Sequence, residues 1–245
     1  MNLIQKELEQ AKSEMFDLIS GANEELVELS RGNVAKVEAI IQNDSAYIRS
    51  SDKTYRGSTA YWMMQLKGAL WGGKSHDGDY YDVFSQAVLA VDRDNSTHLN
   101  ADGVGREEMT HRLCDISKER LIEYLKRPKE TAYHLIEVLS SPTHPKDTSH
   151  KPRSNLSFAS KFCHYACFYV FEGEAEQDNY SIYDNVVRKV LPRYCEYYHI
   201  AKLGHRDNDY AKYQGTIDAI IKAAGGHISR NGFDHLLWYY FKGRI

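Results

Sequence analysis

The sequence lacks long apolar runs, and its other shortages also narrow the kind of protein it encodes. No stretch approaches the roughly eighteen apolar residues that a membrane-spanning helix needs, so we expect no membrane partner. The four cysteines lack the dense spacing of a secreted disulfide scaffold, which favours a reducing compartment. The amphipathic, acidic N-terminus is not typical of a secretory signal or a transit peptide. We therefore expect a cytoplasmic protein.

Basic charge is not in excess either. The formal net charge is −3, and residues 1–44 carry four Lys or Arg against nine Asp or Glu. Nucleic-acid binding shows in clustered basic residues rather than in totals, and the chain has one such cluster at residues 143–153. Lys146, Lys151 and Arg153 accompany a single acid there, Asp147. This cluster is a candidate contact for phosphates, although a solvated surface segment explains it equally well.

Strand signals are scarce, and Ser181–Tyr183 gives the best of them. Elsewhere apolar residues recur at intervals of three and four, which predicts helices and a mostly α fold. The predicted helices cover residues 3–19, 23–42, 59–71, 80–91, 105–114, 117–127, 129–141, 157–171, 185–191, 216–225 and 233–244. Residues 92–105 are predicted to form a turn-rich loop. We expect two parts, an acidic N-terminal helical extension (residues 1–44) and a helical domain (residues 45–245).

One predicted helix carries a lysine in apolar surroundings. Lys161 has Phe158, Phe162, Tyr165 and Phe168 around it at helical spacing. Burial disfavours the charged form of an amine, and a neutral amine is a nucleophile that can form a Schiff base. In the alternative interpretation, the aliphatic stem lies along the apolar face and the ammonium group reaches solvent.

A carboxylate follows further along the chain. Asp184 ends the run Ser181–Asp184 and precedes an apolar helical pattern, so we expect it to cap the N-terminus of that helix. A capping carboxylate is held in one orientation, which is compatible with a second role in stabilising positive charge. The polar loop before it is long enough to let the two helices pack antiparallel, with Lys161 near Asp184.

Together these motifs resemble the 8-oxoguanine DNA glycosylase-like (OGG-fold) branch of the helix-hairpin-helix DNA glycosylase superfamily. The run Ser157-Phe158-Ala159-Ser160-Lys161-Phe162 matches the lysine motif of that branch. The run Ser181-Ile182-Tyr183-Asp184 matches the motif that ends in its aspartate. The resemblance covers roughly residues 55–245 and implies a multi-helical, DNA glycosylase-like fold.

The resemblance also implies an activity. A DNA N-glycosylase flips a modified or damaged base out of double-stranded DNA and excises it, leaving an abasic site. Lys161 would attack C1′ of the deoxyribose, and Asp184 would stabilise the positive charge that develops on the sugar. Lyase activity at the abasic site could accompany excision. We expect double-stranded DNA with a modified base as the partner, no cofactor, and a monomer.

A flipped base needs aromatic walls. Tyr165, one helical turn after Lys161, is expected to supply one wall, and the resemblance implies that Trp238 supplies the other. Further candidates for the pocket are Trp62, Trp71 and Arg56. Each tryptophan could instead pack in the core.

The chain departs from the family in its hairpin. The glycine-rich hairpin is replaced by HPKDTSHKPRSN, residues 144–155, so backbone contacts with phosphate would give way to side-chain contacts. The candidates for DNA binding are Lys146, Lys151, Arg153 and Ser154. No four-cysteine cluster follows the motifs, so the iron–sulfur branch is not matched. Cys163, His164 and Cys167 share one helix, where core packing explains them better than a metal site.

The target base and the biological setting stay open at this point. Oxidised guanine is the usual substrate of the family, whereas some OGG-fold relatives act in antiviral defence on hypermodified pyrimidines of phage DNA. The alternative class is a non-catalytic nucleic-acid or protein binding module of all-α fold. A third interpretation is an interaction protein whose acidic N-terminal helices recruit a partner.

Overall fold

A computed structural model describes residues 15–19, 26–49, 55–72, 80–95, 97–99, 105–143, 154–203 and 209–242. Two short strands come first, β1 (Leu18–Ile19) and β2 (Leu26–Val27). The α-helices of the described residues are α1 (Arg31–Arg49), α2 (Thr59–Trp71), α3 (Tyr80–Asn95), α4 (Gly105–Cys114), α5 (Lys118–Lys126), α6 (His134–Ser140), α7 (Leu156–Val170), α8 (Asn185–Tyr197), α9 (Tyr210–Ala223) and α10 (Arg230–Phe241). A 3₁₀-helix, Ala175–Asp178, lies between α7 and α8.

The predicted mostly α class is confirmed, and local cap residues explain several helix ends. Ser58 caps α2, because its Oγ accepts a hydrogen bond from the Tyr61 amide at 3.2 Å. Gly72 ends the same helix with φ 73°, a left-handed conformation that glycine adopts without steric cost. None of the described helices is long and apolar enough to cross a membrane.

The two N-terminal helices predicted from periodicity are wrong in part. Strands β1 and β2 pair antiparallel in the region where helices were expected, and α1 begins only at Arg31. The Asn33 side chain fixes this hairpin, because its Nδ2 donates to the carbonyls of Asp17 at 3.2 Å and Glu28 at 2.9 Å. Such a contact between distant segments leaves no periodic signal. Residues 3–14 lie outside the described part of the chain.

Two further local predictions need correction. Ser181–Tyr183, the best strand signal, has no regular secondary structure, and its backbone is held by side chains of α9 instead. The loop predicted over residues 92–105 begins too early, because α3 continues to Asn95. That last turn carries Asn95, which contacts α7.

The chain forms two compact units. Met1–Ser51 and Ser181–Ile245 form the terminal unit, and Asp52–Tyr180 forms the central unit. The predicted boundary between residues 44 and 45 falls within α1. In the terminal unit, α10 packs on α1 and α8, and the Tyr194 hydroxyl donates to the Val27 carbonyl at 2.6 Å.

Helix α7 is the centre of the central unit. It packs against α2, α3, α5, α6 and the 3₁₀-helix. Its buried residues point in nearly every direction around the helix axis; they are Leu156, Phe158, Ala159, Ser160, Phe162, Cys163, His164, Ala166, Cys167 and Val170. A helix buried on most sides supplies much of a hydrophobic core.

An ion pair between a buried carboxylate and a partly exposed arginine joins α3 to the start of α4. Asp92 is buried, and its carboxylate accepts from Thr97 Oγ1 at 2.6 Å, from the Leu99 amide at 2.9 Å and from Arg106 Nε at 2.7 Å. Burial by itself would raise the pKa of Asp92, but these hydrogen bonds outweigh it and hold the pKa below its ordinary value.

We expect Asp92→Asn to lower the free energy of unfolding by about 2 kcal/mol at pH 7, because it removes the charge of a hydrogen-bonded buried group. A carboxyl group with a lowered folded-state pKa stabilises the protein above its unfolded-state pKa, near pH 4. That contribution is lost as the pH falls through the folded-state value. Urea denaturation followed by circular dichroism between pH 7 and pH 2.5 measures both effects.

The control is Asp115→Asn, the same change at an exposed carboxylate. We expect it to leave stability nearly unchanged at every pH. If the free energy of unfolding of Asp92→Asn stayed below that of the unmodified protein by the same amount down to pH 2.5, the role of the carboxylate charge would be contradicted.

Candidate functional site

Lys161 lies on the one face of α7 that is not fully buried. Ser157, Lys161, Tyr165 and Phe168 are all partly exposed and follow one another at helical spacing. The residues on either side of this stripe are buried, as predicted for an apolar helix that carries one amine. The Lys161 side chain therefore has access to the surface, although most of its helix is buried.

A single residue of α3 holds both Lys161 and Tyr165. The Lys161 Nζ donates to the backbone carbonyl of Asn95 at 3.2 Å. The Tyr165 hydroxyl donates to Asn95 Oδ1 at 2.9 Å, and Asn95 Nδ2 donates to the Val91 carbonyl at 3.1 Å. Asn95 was not among the residues predicted from the sequence, because its segment has the composition of a loop and its partners are 66 and 70 positions away.

The Asn95 carbonyl is available because α3 ends there. In a continuing α-helix the amide of Leu99 would donate to the carbonyl of Asn95, four residues earlier. The Leu99 amide donates instead to the Asp92 carboxylate, at 2.9 Å. The Asn95 carbonyl therefore lacks its helical partner, and it accepts a hydrogen bond from the Lys161 amine instead. A buried carboxylate thus sets the helix end that the amine contacts.

Other contacts fix the last turn of α3 to the start of α2. Asp94 Oδ2 accepts from the Thr59 amide at 2.8 Å and from the Thr59 hydroxyl at 2.9 Å. Arg93 donates to the Gly57 carbonyl at 2.6 Å. The run of residues 92–95 therefore connects α3 with α2, α4 and α7. The position of the Lys161 amine depends on how these four helices pack together.

The other polar residues of α7 serve the core. His164 is buried, and its Nδ1–H donates to the Tyr180 carbonyl at 2.9 Å. Burial raises the pKa of Cys163 and of Cys167 well above the ordinary value, which keeps both as thiols. The core interpretation of these cysteines is confirmed by their burial. Within the described residues no group of three or more His, Cys, Asp and Glu side chains is placed to hold a metal ion.

Asp184 caps α8, as predicted. Its Oδ1 accepts from the Val187 amide at 2.8 Å, and the residue is buried with 9% of its surface exposed. The carboxylate is therefore fixed at the positive end of a helix with little access to water.

The segment before Asp184 is fixed by α9. The Tyr210 hydroxyl donates to the Ser181 carbonyl at 2.6 Å, and the Tyr213 hydroxyl donates to the Ile182 carbonyl. Burial raises the pKa of Tyr213 well above its ordinary value, and the charges of Asp234 and Asp184 raise it further. The Tyr213 hydroxyl is therefore a permanent donor. Asp234, a buried carboxylate in α10, was not singled out in the sequence because it occurs in an amphipathic helical pattern.

Lys161 belongs to the central unit and Asp184 to the terminal unit. Asp184 is the helix cap that the sequence predicted. Lys161 is partly exposed rather than buried, which agrees with the alternative interpretation, in which its side chain extends to the surface. Their approach to each other stays a prediction.

The candidate aromatic walls are also divided between the units. Trp238, in the terminal unit, is partly exposed, and the Lys242 Nζ lies 3.6 Å from its ring centroid. Trp62 is partly exposed in the central unit and packs edge-on against Tyr61. Trp71 is 44% exposed, which excludes a simple core role for it.

Two of the remaining candidates lie at the surface. Arg56 and Ser154 are exposed in the central unit, and the Ser154 hydroxyl is 3.5 Å from the Ser140 carbonyl. The other three candidates for DNA binding, Lys146, Lys151 and Arg153, lie outside the described residues.

The described residues on both sides of the basic segment 144–153 are tied together. The Asn155 amide donates to the Ser140 carbonyl at 2.9 Å, and Asn155 Nδ2 donates to the Ser141 carbonyl at 2.9 Å. Arg112 donates to the same Ser141 carbonyl at 2.6 Å and to the Pro142 carbonyl at 2.8 Å. The residues that flank the segment, 140–142 and 154–155, therefore lie together next to the N-terminus of α7.

Comparisons with protein-family models, with curated proteins and with solved structures found no match to the chain. The assignment of a function therefore depends on the chemistry of the residues themselves.

The cap role and any charge role of Asp184 can be separated by two substitutions. We expect Asp184→Ala to lower the free energy of unfolding by about 1 kcal/mol, because it removes the acceptor of the Val187 amide. Asp184→Asn keeps that acceptor, so its stability should stay within a few tenths of a kcal/mol of the unmodified protein. Urea denaturation at pH 7 measures both values. An equal loss in the two variants would show that the charge, and not the cap, carries the stability.

Proposed function

We propose that the protein is a DNA glycosylase that flips a modified base out of double-stranded DNA and excises it. The observation that carries the proposal is the placement of Lys161. Its amine lies on the partly exposed stripe of a helix that is buried elsewhere, and it donates to a helix-terminal carbonyl. Tyr165, one turn along, is bound to the same residue of α3. A nucleophile and a stacking surface on one accessible face suit a site that receives a flipped nucleotide.

In the proposed reaction the Lys161 amine attacks C1′ of the deoxyribose. Its lone pair forms the new nitrogen–carbon bond while the bond from C1′ to the base breaks, and the departing base takes up a proton. Opening of the sugar ring gives an iminium, and water then releases the amine and leaves an abasic site. If the iminium loses the 2′ proton before water arrives, the 3′ phosphate is eliminated and the strand is cleaved.

Asp184 is the proposed charge-stabilising group. The sugar gains positive charge as the base departs, and a fixed carboxylate with little hydration stabilises such charge more strongly than a mobile one in water. The cap bond from the Val187 amide and the burial of Asp184 supply that fixation. The role needs the two units to bring Asp184 to the same sugar as Lys161.

Aromatic side chains are the proposed walls of the base pocket. Tyr165 offers a partly exposed ring whose hydroxyl is already hydrogen-bonded, so the ring is held in one orientation. Trp238 is proposed as the opposite wall, with Lys242 displaced from the indole face when a base stacks there. Stacking of a base on an aromatic ring contributes about 1–3 kcal/mol.

The DNA backbone would be bound by the basic segment. Lys146, Lys151 and Arg153 provide positive charge without the glycine-rich hairpin of the resembled family. Ser140 and Asn155, which flank this segment, are hydrogen-bonded to each other, and Asn155 directly precedes α7. Lys161 lies in the second turn of that helix. The substrate is proposed to be oxidised guanine in base-excision repair or a hypermodified pyrimidine in defence against phage.

The central test is the substitution Lys161→Gln, with purified protein and a panel of duplexes that each contain one modified base. We expect the unmodified protein to produce abasic sites or strand breaks on at least one duplex, and to form a covalent adduct when borohydride is added. Lys161→Gln should reduce both products at least a thousandfold, because glutamine has no nucleophilic nitrogen. Denaturing gels measure strand cleavage and the adduct.

The matched control is Lys129→Gln, which removes an exposed lysine from the same unit. It should leave both products unchanged. If the unmodified protein binds DNA but forms neither product on any duplex, the non-catalytic binding module becomes the better interpretation. Abasic sites without adducts, still lost in Lys161→Gln, would indicate a monofunctional enzyme in which Lys161 acts through its charge.

A second prediction concerns DNA affinity. Replacing Lys146, Lys151 and Arg153 with Gln together should weaken binding uniformly across duplex sequences, because phosphate contacts carry no sequence information. The slope of log K against log salt concentration should become less steep by about 0.9 for each phosphate that the variant no longer neutralises, as fluorescence anisotropy between 50 and 300 mM salt would measure. An unchanged slope would assign the segment to the solvated surface.

A further inference from the structure

We propose that Asn95 is the positioning residue of this site, holding the Lys161 amine and the Tyr165 ring in a fixed relation through its backbone and side chain respectively. The inference rests on the proposed function and extends it to a residue outside the motifs of the resembled family. Asn95 itself is not proposed to contact DNA.

The side chain of Asn95 is oriented without ambiguity by its partners. The Val91 carbonyl can only accept, so the group 3.1 Å from it must be the amide nitrogen. The other end of the amide is then the oxygen, which accepts from the Tyr165 hydroxyl at 2.9 Å. The hydrogen bond to the Val91 carbonyl fixes the orientation of the Asn95 amide within α3. The hydrogen bond from Tyr165 then fixes the Tyr165 side chain of α7 against that amide.

The backbone carbonyl of Asn95 orients the amine. A neutral amine that donates one N–H to this carbonyl keeps its lone pair, which must point away from the acceptor. The bond therefore restricts where the nucleophile can attack as well as where it sits. A lysine side chain that is fixed before the substrate arrives loses less conformational entropy in the reaction.

The choice of an amide at position 95 has an electrostatic consequence. Asn95 provides two acceptors to α7 without adding a negative charge next to the amine. A carboxylate in the same place would favour the ammonium form of Lys161, which has no lone pair to donate. Asn95→Asp keeps the acceptor for Tyr165 and adds that charge, which separates positioning from electrostatics.

The test uses a duplex with one abasic site, which reacts with the Lys161 amine whatever base the enzyme removes. The amine and the C1′ aldehyde condense to an iminium with loss of water, and borohydride reduces the iminium to a stable secondary amine. The measured quantity is the rate of adduct formation at saturating duplex between pH 5 and pH 9, with Lys161→Gln as the blank. Thermal denaturation confirms that each variant is folded.

For Asn95→Asp we expect the acidic limb of the rate–pH profile to move to higher pH, because the added carboxylate favours the ammonium form, with DNA affinity changed less than twofold. For Asn95→Ala and for Tyr165→Phe we expect a rate about five- to tenfold lower at saturating duplex. The double variant should be no slower than the slower single variant, because both changes break the same hydrogen bond.

The outcomes separate this inference from the function on which it depends. If the unmodified protein forms no adduct beyond the Lys161→Gln blank, both are overturned. If it forms the adduct but Asn95→Asp leaves the pH profile in place, or if the two rate losses multiply in the double variant, Asn95 is a structural residue and only this inference is overturned. Tyr165→Phe keeps the test valid even if the changes at Asn95 prevent folding.

Discussion

The hydrogen bond between the Lys161 amine and the Asn95 carbonyl depends on a carboxylate three residues earlier. Asp92 takes the Leu99 amide that would otherwise continue α3, and so leaves the carbonyl of Asn95 for another donor. The same carboxylate holds Arg106 at the start of α4. Because Asp92 is buried, any change there alters the end of α3 and, with it, the surroundings of the amine. Stability and site geometry are therefore linked through one buried group.

Much of the helical structure could be predicted from sequence, since periodicity and caps are local. Gly72 caps the end of α2 and Asp184 caps the start of α8, as their residue types indicate. The role of Asn95 could not be predicted, because its partners in α7 are remote in sequence and its own segment is rich in turn-forming residues. The β1–β2 hairpin was missed for a similar reason, since Asn33 fixes it through contacts with the Asp17 and Glu28 carbonyls.

The two charged residues of the proposed site are held by different means. Asp184 is fixed by a bond within its own helix start, so an isolated motif is enough to recognise it. Lys161 has a flexible side chain, and its orientation requires a second helix. This difference explains why the aspartate motif was informative about structure, whereas the lysine motif indicated only a helix with an unusual residue.

The nature of the acceptor beside Lys161 also bears on reactivity. Among the described residues of the central unit no carboxylate forms an ion pair with the Lys161 amine, and its acceptor there is the neutral Asn95 carbonyl. A carbonyl can accept from the amine in either protonation state, so the same contact persists when the amine gives up a proton and becomes a nucleophile. An ion pair would be lost at that step, and its energy would oppose the reaction. A neutral acceptor therefore fixes the amine at a smaller electrostatic cost to the chemistry proposed for it.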